Sequence, residues 1–362
     1  MRDMQLKLNG NKYISNELLS LCYKILSSPT TAKWEIELFT FIQNWLDDND
    51  YIIQETSGTT GEKKKIRLRK KTMLHSAAIT CDFFHLNNSN TALLCLPVRY
   101  IAGKMMVIRA VYSGMNLIAR SPEGNPLDGL DHPIDFSAMV PLQVMKSLEQ
   151  QPGLRFLKNL IIGGSEIPKK LEEKLHVISE TNIYATFSMT ETSSHIALRK
   201  INGKNASDYF ELLDDFEITT DERNCLAIHA PFIQDDLIIT NDLVEMKDKK
   251  HFKWLGRYDN VINSGGIKTS PETVEKKLEG LFSQRYVISS IPDKKLGAQL
   301  VLIIEGREPN ENELEKINKE VAERISGYSR PRKILFLDKL PLTETLKINR
   351  REIRSKLAET YS

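Results

Sequence analysis

The sequence predicts an α/β protein with a large N-terminal domain, whose mostly parallel sheet is covered on both faces, and a small α+β C-terminal domain. Three observations support this. The 362 residues suffice for roughly two domains with separate cores. Strand-like and helix-like segments alternate through residue 240, as in parallel sheets covered by helices. The pattern changes near the stretch WLGRYDN, and about a hundred residues follow, enough for a second domain.

The N-terminal elements begin with two amphipathic helices, in which apolar side chains recur every three or four residues. A third helix is predicted at 70–86, within and after the basic stretch. The alternating segments then predict helices at 136–150 and 168–179 and strands at 91–97, 114–120, 157–164 and 182–188.

The C-terminal elements begin with a short strand pair and a helix at 270–280, which Ser270 is placed to cap and in which Pro271 occupies the first turn. Strands at 285–292, 298–306 and 333–338 and a helix at 310–326 complete the set. The sequence therefore predicts domains at 1–256 and 260–362, separated by a boundary at 257–259.

Composition and charge exclude several classes of protein. Hydrophobic residues make up 41%, charged residues 27%, and the net charge is +2, which disfavours a protein built to hold nucleic acid. The N-terminus has no apolar signal segment, and no apolar run approaches the ~20 residues that span a bilayer. We expect a cytoplasmic protein without membrane contact, whose oligomeric state, a homo-oligomer included, stays open. Four widely spaced cysteines indicate a reducing compartment: Cys22, Cys81, Cys95 and Cys225.

The stretch QETSGTTGEKKKIRLRKK at 54–71 combines hydroxyls, glycines and a dense run of cations. Its glycines and hydroxyls suit a loop that turns backbone N–H groups toward an anion. It lacks the Walker pattern, because no Lys-Ser/Thr follows Gly61 at that spacing. Taken alone, the stretch leaves three alternatives: a phosphate-binding loop, a flexible linker, or a basic arm for nucleic acid.

Four later stretches follow that loop in a fixed order: FSMTETSSHIA (187–197), TNDLVE (240–245), WLGRYDNVINSGGIKTSPETVE (254–275) and LPLTETLKINR (340–350). Together the five stretches resemble the adenylate-forming superfamily of acyl- and aryl-CoA synthetases, peptide-synthetase adenylation domains and luciferases. The resemblance covers some 300 residues. It implies that the chain uses ATP, Mg²⁺ and coenzyme A, and that its small C-terminal domain is mobile.

The resemblance also implies roles for individual residues. Glu191 would hold Mg²⁺, and Thr190 would lie beside the α-phosphate. Lys347 would be the lysine of the adenylation step, with Lys339 and Arg350 as less well aligned alternatives. Asp259 would be the hinge, and the ATP phosphates would be bound by Thr56, Ser57, Gly58, Thr59, Thr60, Gly61 and Lys64. The adenine and ribose would contact Gly164, Ser165, Glu166, Phe187, Asp242 and Arg257, and the pantetheine tunnel would pass Gly265 and Gly266.

Such a set suits the chemistry of acid activation. A carboxylate must attack the α-phosphorus of ATP, and two unit charges ~4 Å apart repel by about 4 kcal/mol at an effective dielectric near 20. A divalent metal and the Lys347 ammonium would offset this repulsion and stabilise the growing charge. A carboxylate needs no activating base, so no Ser-His-Asp set is required.

The stretches CLPVRYIAGKMMVIRAVYSG (95–114) and FSMTETSSHIALRKING (187–203) resemble the o-succinylbenzoate–CoA ligases of menaquinone biosynthesis. The expected substrates are therefore ATP, CoA and an aromatic keto acid with two carboxylates. Tyr100 stands where that branch often has histidine, at the substrate contact. The carboxylate that does not react needs a cation, and the candidates, with Lys104 slightly favoured, are Arg99, Lys104, Arg109 and His195.

The sequence departs from the superfamily pattern at three positions: Lys63 replaces proline, and Ser188 and Leu346 replace glycines. Two alternatives stay open beside the o-succinylbenzoate ligase, and the departures at Lys63 and Leu346 favour the second. One is a ligase for another aryl or acyl acid, or an adenylation enzyme that loads a carrier protein. The other is a nucleotide-binding homologue without catalysis.

Overall fold

The structure is a computed structural model that describes residues 4–55, 65–149, 153–343 and 347–361. Its helices are α1 (Ser15–Leu26), α2 (Lys33–Leu46), α3 (Lys70–Phe83), α4 (Ile101–Ser113), α5 (Pro141–Leu148), α6 (Lys169–His176), α7 (Pro271–Leu278), α8 (Glu311–Arg324) and α9 (Arg350–Tyr361).

The strands of the first half are β1 (Gln5–Leu8), β2 (Asn11–Ile14), β3 (Tyr51–Glu55), β4 (Lys65–Arg69), β5 (Thr91–Leu94), β6 (Asn116–Ala119), β7 (Ile134–Met139), β8 (Leu157–Ile162), β9 (Asn182–Ser188) and β10 (His195–Lys200). Those of the second half are β11 (Phe210–Leu212), β12 (Glu217–Thr220), β13 (Cys225–Ala230), β14 (Gln234–Met246), β15 (His251–Arg257), β16 (Ile262–Ser264), β17 (Ile267–Thr269), β18 (Tyr286–Asp293), β19 (Gly297–Glu305) and β20 (Lys333–Leu337).

The chain divides into two compact units, the first of which contains 4–55, 65–217 and 229–237 of the described residues. Its strands pair in the order β11-β10-β9-β8-β7-β5-β6-β1-β2. The pairs from β9 through β8, β7, β5 and β6 to β1 are parallel. The antiparallel pairs lie at the two ends. This arrangement confirms the predicted α/β class with a mostly parallel sheet.

Strand β7 corrects one sequence prediction, which placed a single helix over 136–150. Residues 134–139 form a buried central strand, and helix α5 begins only at Pro141. Proline cannot donate within a helix and restricts the preceding residue to extended conformations, so a helix does not continue backward through it. Val140 is accordingly extended. The apolar run before it fits a strand that is covered on both faces.

The second unit contains 218–228 and 238–361 of the described residues. Strand β19 pairs antiparallel with β18 and parallel with β20, and helices α7 and α9 pack on β18. One apolar cluster of this unit includes Val274, Leu302 and Val321. Ser270 caps α7 as predicted, since its Oγ accepts the backbone N–H of Thr273. The basic tail, which had no predicted element, is helix α9, and none of the described helices has the length and apolar character to cross a bilayer.

Candidate functional site

Strands β3 and β4 flank the predicted phosphate loop and pair antiparallel, with Glu55 opposite Lys65. The loop residues themselves lie outside the described residues, so the roles of Thr56, Ser57, Gly58, Thr59, Thr60, Gly61 and Lys64 stay predictions. The basic run that follows is not a uniformly solvated arm. Lys70 is 1% exposed, and its Nζ lies 2.8 Å from the Asp47 carboxylate.

The predicted adenine-binding residues lie at the carboxyl ends of the neighbouring parallel strands β8 and β9. Such edges are where α/β sheets bind ligands. Gly164, Ser165 and Glu166 are exposed immediately after β8. Phe187 near the end of β9 packs its ring against Phe210, with centroids 5.9 Å apart. The structure therefore brings both predicted adenine-binding segments to one edge of the sheet.

Gly163 explains how the two segments approach each other. A Cβ at this position would lie 2.3 Å from Thr186 Oγ1, closer than real Cβ contacts allow. Its backbone N–H donates to Met139 O, and Thr186 Oγ1 donates to Ile162 O. A side chain at this position would displace the Thr186 hydroxyl from its bond to Ile162 O, so glycine suits the first position of the GGSE sequence.

Thr190 and Glu191 lie in the turn between β9 and β10. Ser193 N–H donates to Thr190 O, and Ser193 adopts a positive φ of 63°. Glu191 is exposed, and the described residues contain no cluster of three acids, histidines or cysteines that would hold a metal by itself. Mg²⁺ in nucleotide sites is commonly held by one or two carboxylates and by substrate phosphates. An exposed single carboxylate at this position fits that mode of binding.

Asp242, Arg257 and Asp259 form one network in the second unit. Asp242 is 8% exposed and accepts the Trp254 indole N–H at 3.0 Å and Arg257 Nη1 at 3.5 Å. Arg257 Nη2 also donates to Asp259 at 3.1 Å. Burial raises the pKa of Asp242, an effect that the Trp254 and Arg257 contacts oppose. Sequence reasoning missed Trp254, although it precedes the GRYD motif by only two positions.

The turn between β16 and β17 contains the two glycines predicted for the pantetheine tunnel. Gly265 and Gly266 are both exposed and have φ values of 59° and 86°. Gly265 N–H donates to Leu296 O. A positive φ at both positions makes glycine the residue that this turn requires.

Lys347 lies directly before Ile348, which forms an antiparallel bridge with Leu342. Its backbone N–H donates to Thr343 Oγ1, and its carbonyl accepts the Thr343 N–H. The side chain is half-buried, and burial lowers the pKa of its ammonium. Among the described residues, no acid pairs with this ammonium. Leu346 lies outside the described residues.

Helix α4 and the turn before it carry three of the four candidate cations for the acid. Arg99 is mostly exposed and pairs with Glu37 at 2.9 Å, and its guanidinium stacks over the half-buried Tyr100 ring. Lys104 Nζ donates to Gln54 Oε1 at 2.6 Å and to Arg99 O at 3.3 Å. Burial lowers the pKa of Lys104 to about 8. Both cations thus have polar partners within the protein.

Arg109 has different surroundings. Its guanidinium is 2% exposed and lies over the Phe136 ring, and among the described residues no carboxylate pairs with it. Nη2 donates to Ser194 Oγ at 2.7 Å and approaches His195 Nδ1 at 3.5 Å, while Nε has no partner. Burial lowers the pKa of Arg109 to about 10. The structure therefore brings Arg109 and His195 together, whereas Arg99 and Lys104 contact other partners.

The fold and these residues together define an adenylate-forming ligase. The chain belongs to the AMP-binding enzyme family, whose model matches residues 16–211. It is 34% identical to an acyl-CoA synthetase (AMP-forming)/AMP-acid ligase II-like protein from Dyadobacter fermentans, with a TM-score of 0.61 and coverage of 94% of this chain and 98% of that one. The resemblance found in the sequence is thereby confirmed.

Two further matches are more distant. A 2-succinylbenzoate–CoA ligase from Staphylococcus epidermidis is 26% identical over 336 residues, which cover 84% of this chain and 69% of that protein. The o-succinylbenzoate coenzyme A synthetase of Bacillus subtilis, in complex with ATP and magnesium ion, is 16% identical, with a TM-score of 0.74. That match covers 97% of this chain and 96% of the other. It shows that the two proteins share a fold.

Proposed function

We propose that this chain is an o-succinylbenzoate–CoA ligase, which forms the acyl-adenylate from the acid and ATP and then the CoA thioester. The first step makes a bond between a carboxylate oxygen and the α-phosphorus and releases pyrophosphate. In the second, the CoA sulfur attacks the acyl carbon, loses its proton, and displaces AMP. The reaction would serve menaquinone biosynthesis. Family membership and the relatives named above support this proposal.

The roles of individual residues are part of the proposal. Glu191 would hold Mg²⁺ together with the ATP phosphates, and the ion would supply positive charge when bound. Lys347 would stabilise the oxygen that joins the acyl group to the α-phosphate. The 56–64 loop would bind phosphates, and the Asp242–Arg257 pair would bind ribose. The hinge at Asp259, the domain boundary, the glycine tunnel, the cytoplasmic location and any homo-oligomer remain predictions.

The surroundings of Arg109 are the observation that supports o-succinylbenzoate as the acid. A buried charge without a partner is costly, so a fold that retains one generally provides it with a counter-charge. Among the described residues, the guanidinium contacts the Ser194 hydroxyl, the His195 ring and the Met106 sulfur but no carboxylate, and its Nε lacks any partner. The second carboxylate of o-succinylbenzoate would supply both the charge and the acceptor. We therefore propose Arg109 as its partner, in place of Lys104, whose ammonium is bonded to Gln54.

ATP–pyrophosphate exchange with a panel of acids tests this function. The panel contains o-succinylbenzoate, two analogues that each lack one of its carboxylates, benzoate and a fatty acid. We expect exchange to be fastest with o-succinylbenzoate and to be followed by thioester formation when CoA is added. Exchange with benzoate or the fatty acid but not with o-succinylbenzoate would contradict the substrate and favour another acyl-CoA ligase or a carrier-loading enzyme.

The same panel tests Arg109. Arg109→Met should lower kcat/KM for o-succinylbenzoate by about 10- to 100-fold, because hydrogen bonds to charged groups contribute about 1.5–3 kcal/mol. It should spare the analogue that keeps only the reacting carboxylate. Arg109→Lys keeps the positive charge but lacks the paired N–H donors of a guanidinium. Its kcat/KM for o-succinylbenzoate should lie between those of the wild type and Arg109→Met. Equal losses with both acids would exclude a contact with the second carboxylate.

A further inference from the structure

A directional chain of hydrogen bonds surrounds Arg109 and passes through His195. Arg109 Nη2 lies 2.7 Å from Ser194 Oγ and 3.5 Å from His195 Nδ1, and Ser194 Oγ lies 3.3 Å from the same ring nitrogen. On the other side of the ring, His195 Nε2 lies 3.2 Å from Thr80 Oγ1, which itself lies 3.1 Å from Ser76 O. His195 is 4% exposed, and both of its ring nitrogens have partners.

The Arg109 end fixes the direction of the first bonds. A guanidinium only donates, so Ser194 Oγ accepts from Nη2. The Ser194 hydroxyl then has its own hydrogen to donate, and His195 Nδ1 is its acceptor in the described structure. Nδ1 therefore faces two donors and must carry its lone pair. The ring proton belongs on Nε2.

The hydrogen bonds of Thr80 independently indicate the same tautomer of His195. The Thr80 hydroxyl donates to the carbonyl of Ser76, one turn earlier in α3. This leaves its oxygen free to accept, so His195 Nε2 has to be the donor across the 3.2 Å contact. The two ends of the chain agree on one neutral tautomer of His195.

We propose that His195 is a positioning residue for the acid substrate. Thr80 holds its ring as the Nε2–H tautomer, and Nδ1 in turn fixes Ser194 and the Arg109 guanidinium for the second carboxylate. The inference rests on the proposed function for the role of Arg109, although the tautomer itself does not depend on any substrate. It replaces the expectation that His195 contacts the acid as a cation.

The charged and titratable groups around the ring are consistent with this role. Arg109 faces it from α4, and Cys81, whose Sγ lies 3.8 Å from Arg109 O, lies on α3 beside Thr80. Burial and the Arg109 charge lower the pKa of His195 well below its ordinary value. Burial raises the pKa of Cys81 to about 11. The cluster therefore keeps a single positive charge, that of Arg109, near neutral pH.

Nitrogen NMR of the ligand-free enzyme, labelled with ¹⁵N-histidine, reads the tautomer directly. Seven histidines contribute, and His195→Gln identifies the signal of His195. We expect a protonated Nε2 and an unprotonated Nδ1 that do not change from neutral to mildly acidic pH. An Nδ1–H tautomer, or a ring that becomes charged at mildly acidic pH, would overturn the proposal whether or not o-succinylbenzoate is a substrate.

Thr80 variants then test whether the tautomer positions Arg109. Thr80→Val keeps the shape but removes the acceptor, while Thr80→Ser retains it. We expect Thr80→Val to raise KM for o-succinylbenzoate by about 3- to 10-fold. KM for the analogue without the second carboxylate should not change, and Thr80→Ser should resemble the wild type. Equal effects on both acids would mean that the chain only stabilises the fold, and no effect on either would mean that it does not position Arg109.

Discussion

Two cations on helix α4 show how surroundings decide the role of a residue. Lys104 and Arg109 are both buried, at 8% and 2% exposure. Lys104 Nζ is held by Gln54 Oε1, and Gln54 Nε2 in turn donates to the carbonyls of Glu55 and Arg99. Lys104 therefore secures the end of β3, directly before the 56–64 segment. In the described part of the chain, the Arg109 guanidinium contacts side chains, those of Met106, Ser194 and His195.

Burial of Lys104 should make stability depend on pH. Its folded-state pKa of about 8 lies below the ordinary 10.5, so between these values the unfolded chain binds more protons. The free energy of unfolding of the wild type should rise relative to that of Lys104→Met by about 3 kcal/mol across this range, where each pKa unit corresponds to about 1.36 kcal/mol. Urea unfolding near pH 7 and pH 10 measures this difference.

Lys249→Met, which removes an exposed lysine, is the control and should show no such change with pH. A difference between wild type and Lys104→Met that stays constant with pH would contradict a penalty for burying the ammonium.

The sequence could predict the set of candidate cations but not the choice among them. Motif spacing pointed to Glu191, Asp242 and Lys347, because their proposed roles depend on position within short stretches. The partners that distinguish Lys104 from Arg109 are Gln54 and Ser194, which are far from both in the chain. Only the fold brings these side chains together.

At the scale of elements, local turn chemistry predicted boundaries well where a cap was present. Ser270 and Pro271 marked the start of α7, and the structure confirms both. The boundary between β7 and α5 was missed because an apolar run reads equally well as a buried strand or a buried helix. Pro141 was the available signal, since it restricts Val140 to extended conformations.

Gly256 lies in β15 where this strand passes close to the first turn of α7. It has a φ of 135°, and a Cβ there would lie 2.5 Å from Ser270 Oγ and 2.7 Å from Glu272 Oε2, at the N-terminus of α7. Gly256→Ala should therefore lower the free energy of unfolding by about 2 kcal/mol or more, through backbone strain and a displaced cap. Denaturant unfolding measures the loss.

Gly280→Ala is the matched control for Gly256→Ala. Gly280 has a φ of 80° and no atom within 4 Å of the added Cβ, so this variant should show the strain alone. Equal losses in the two variants would mean that the contact of β15 with α7 does not require glycine.

At the scale of the whole molecule, the proposed contacts are distributed between the two units. The first contains the adenine-binding segments, Glu191 and Arg109, and the second contains Asp242, the glycine turn and Lys347. The sequence analysis expected Asp242 in the domain at 1–256, so this distribution was not predicted. The overall class was predictable, because the type of most elements was recognisable. The order of the antiparallel strands beyond β9 was not predictable from the sequence, since pairing among short strands depends on contacts that are distant in sequence.

From the proposed roles, we predict that the two half-reactions depend on different residues. Lys347→Ala should abolish adenylate formation, measured by ATP–pyrophosphate exchange, and spare thioester formation from a supplied acyl-adenylate.

Because burial lowers the Lys347 pKa, its ammonium is lost at a lower pH than that of an exposed lysine. Exchange in the wild type should therefore fall with rising pH sooner than the loss of an exposed lysine ammonium would predict, while thioester formation should not fall with it. Lys339→Ala, which removes an exposed lysine nearby, should leave both rates unchanged. Equal loss of both half-reactions in Lys347→Ala would show that the lysine supports the fold or both steps, and would remove it from the role proposed in adenylation.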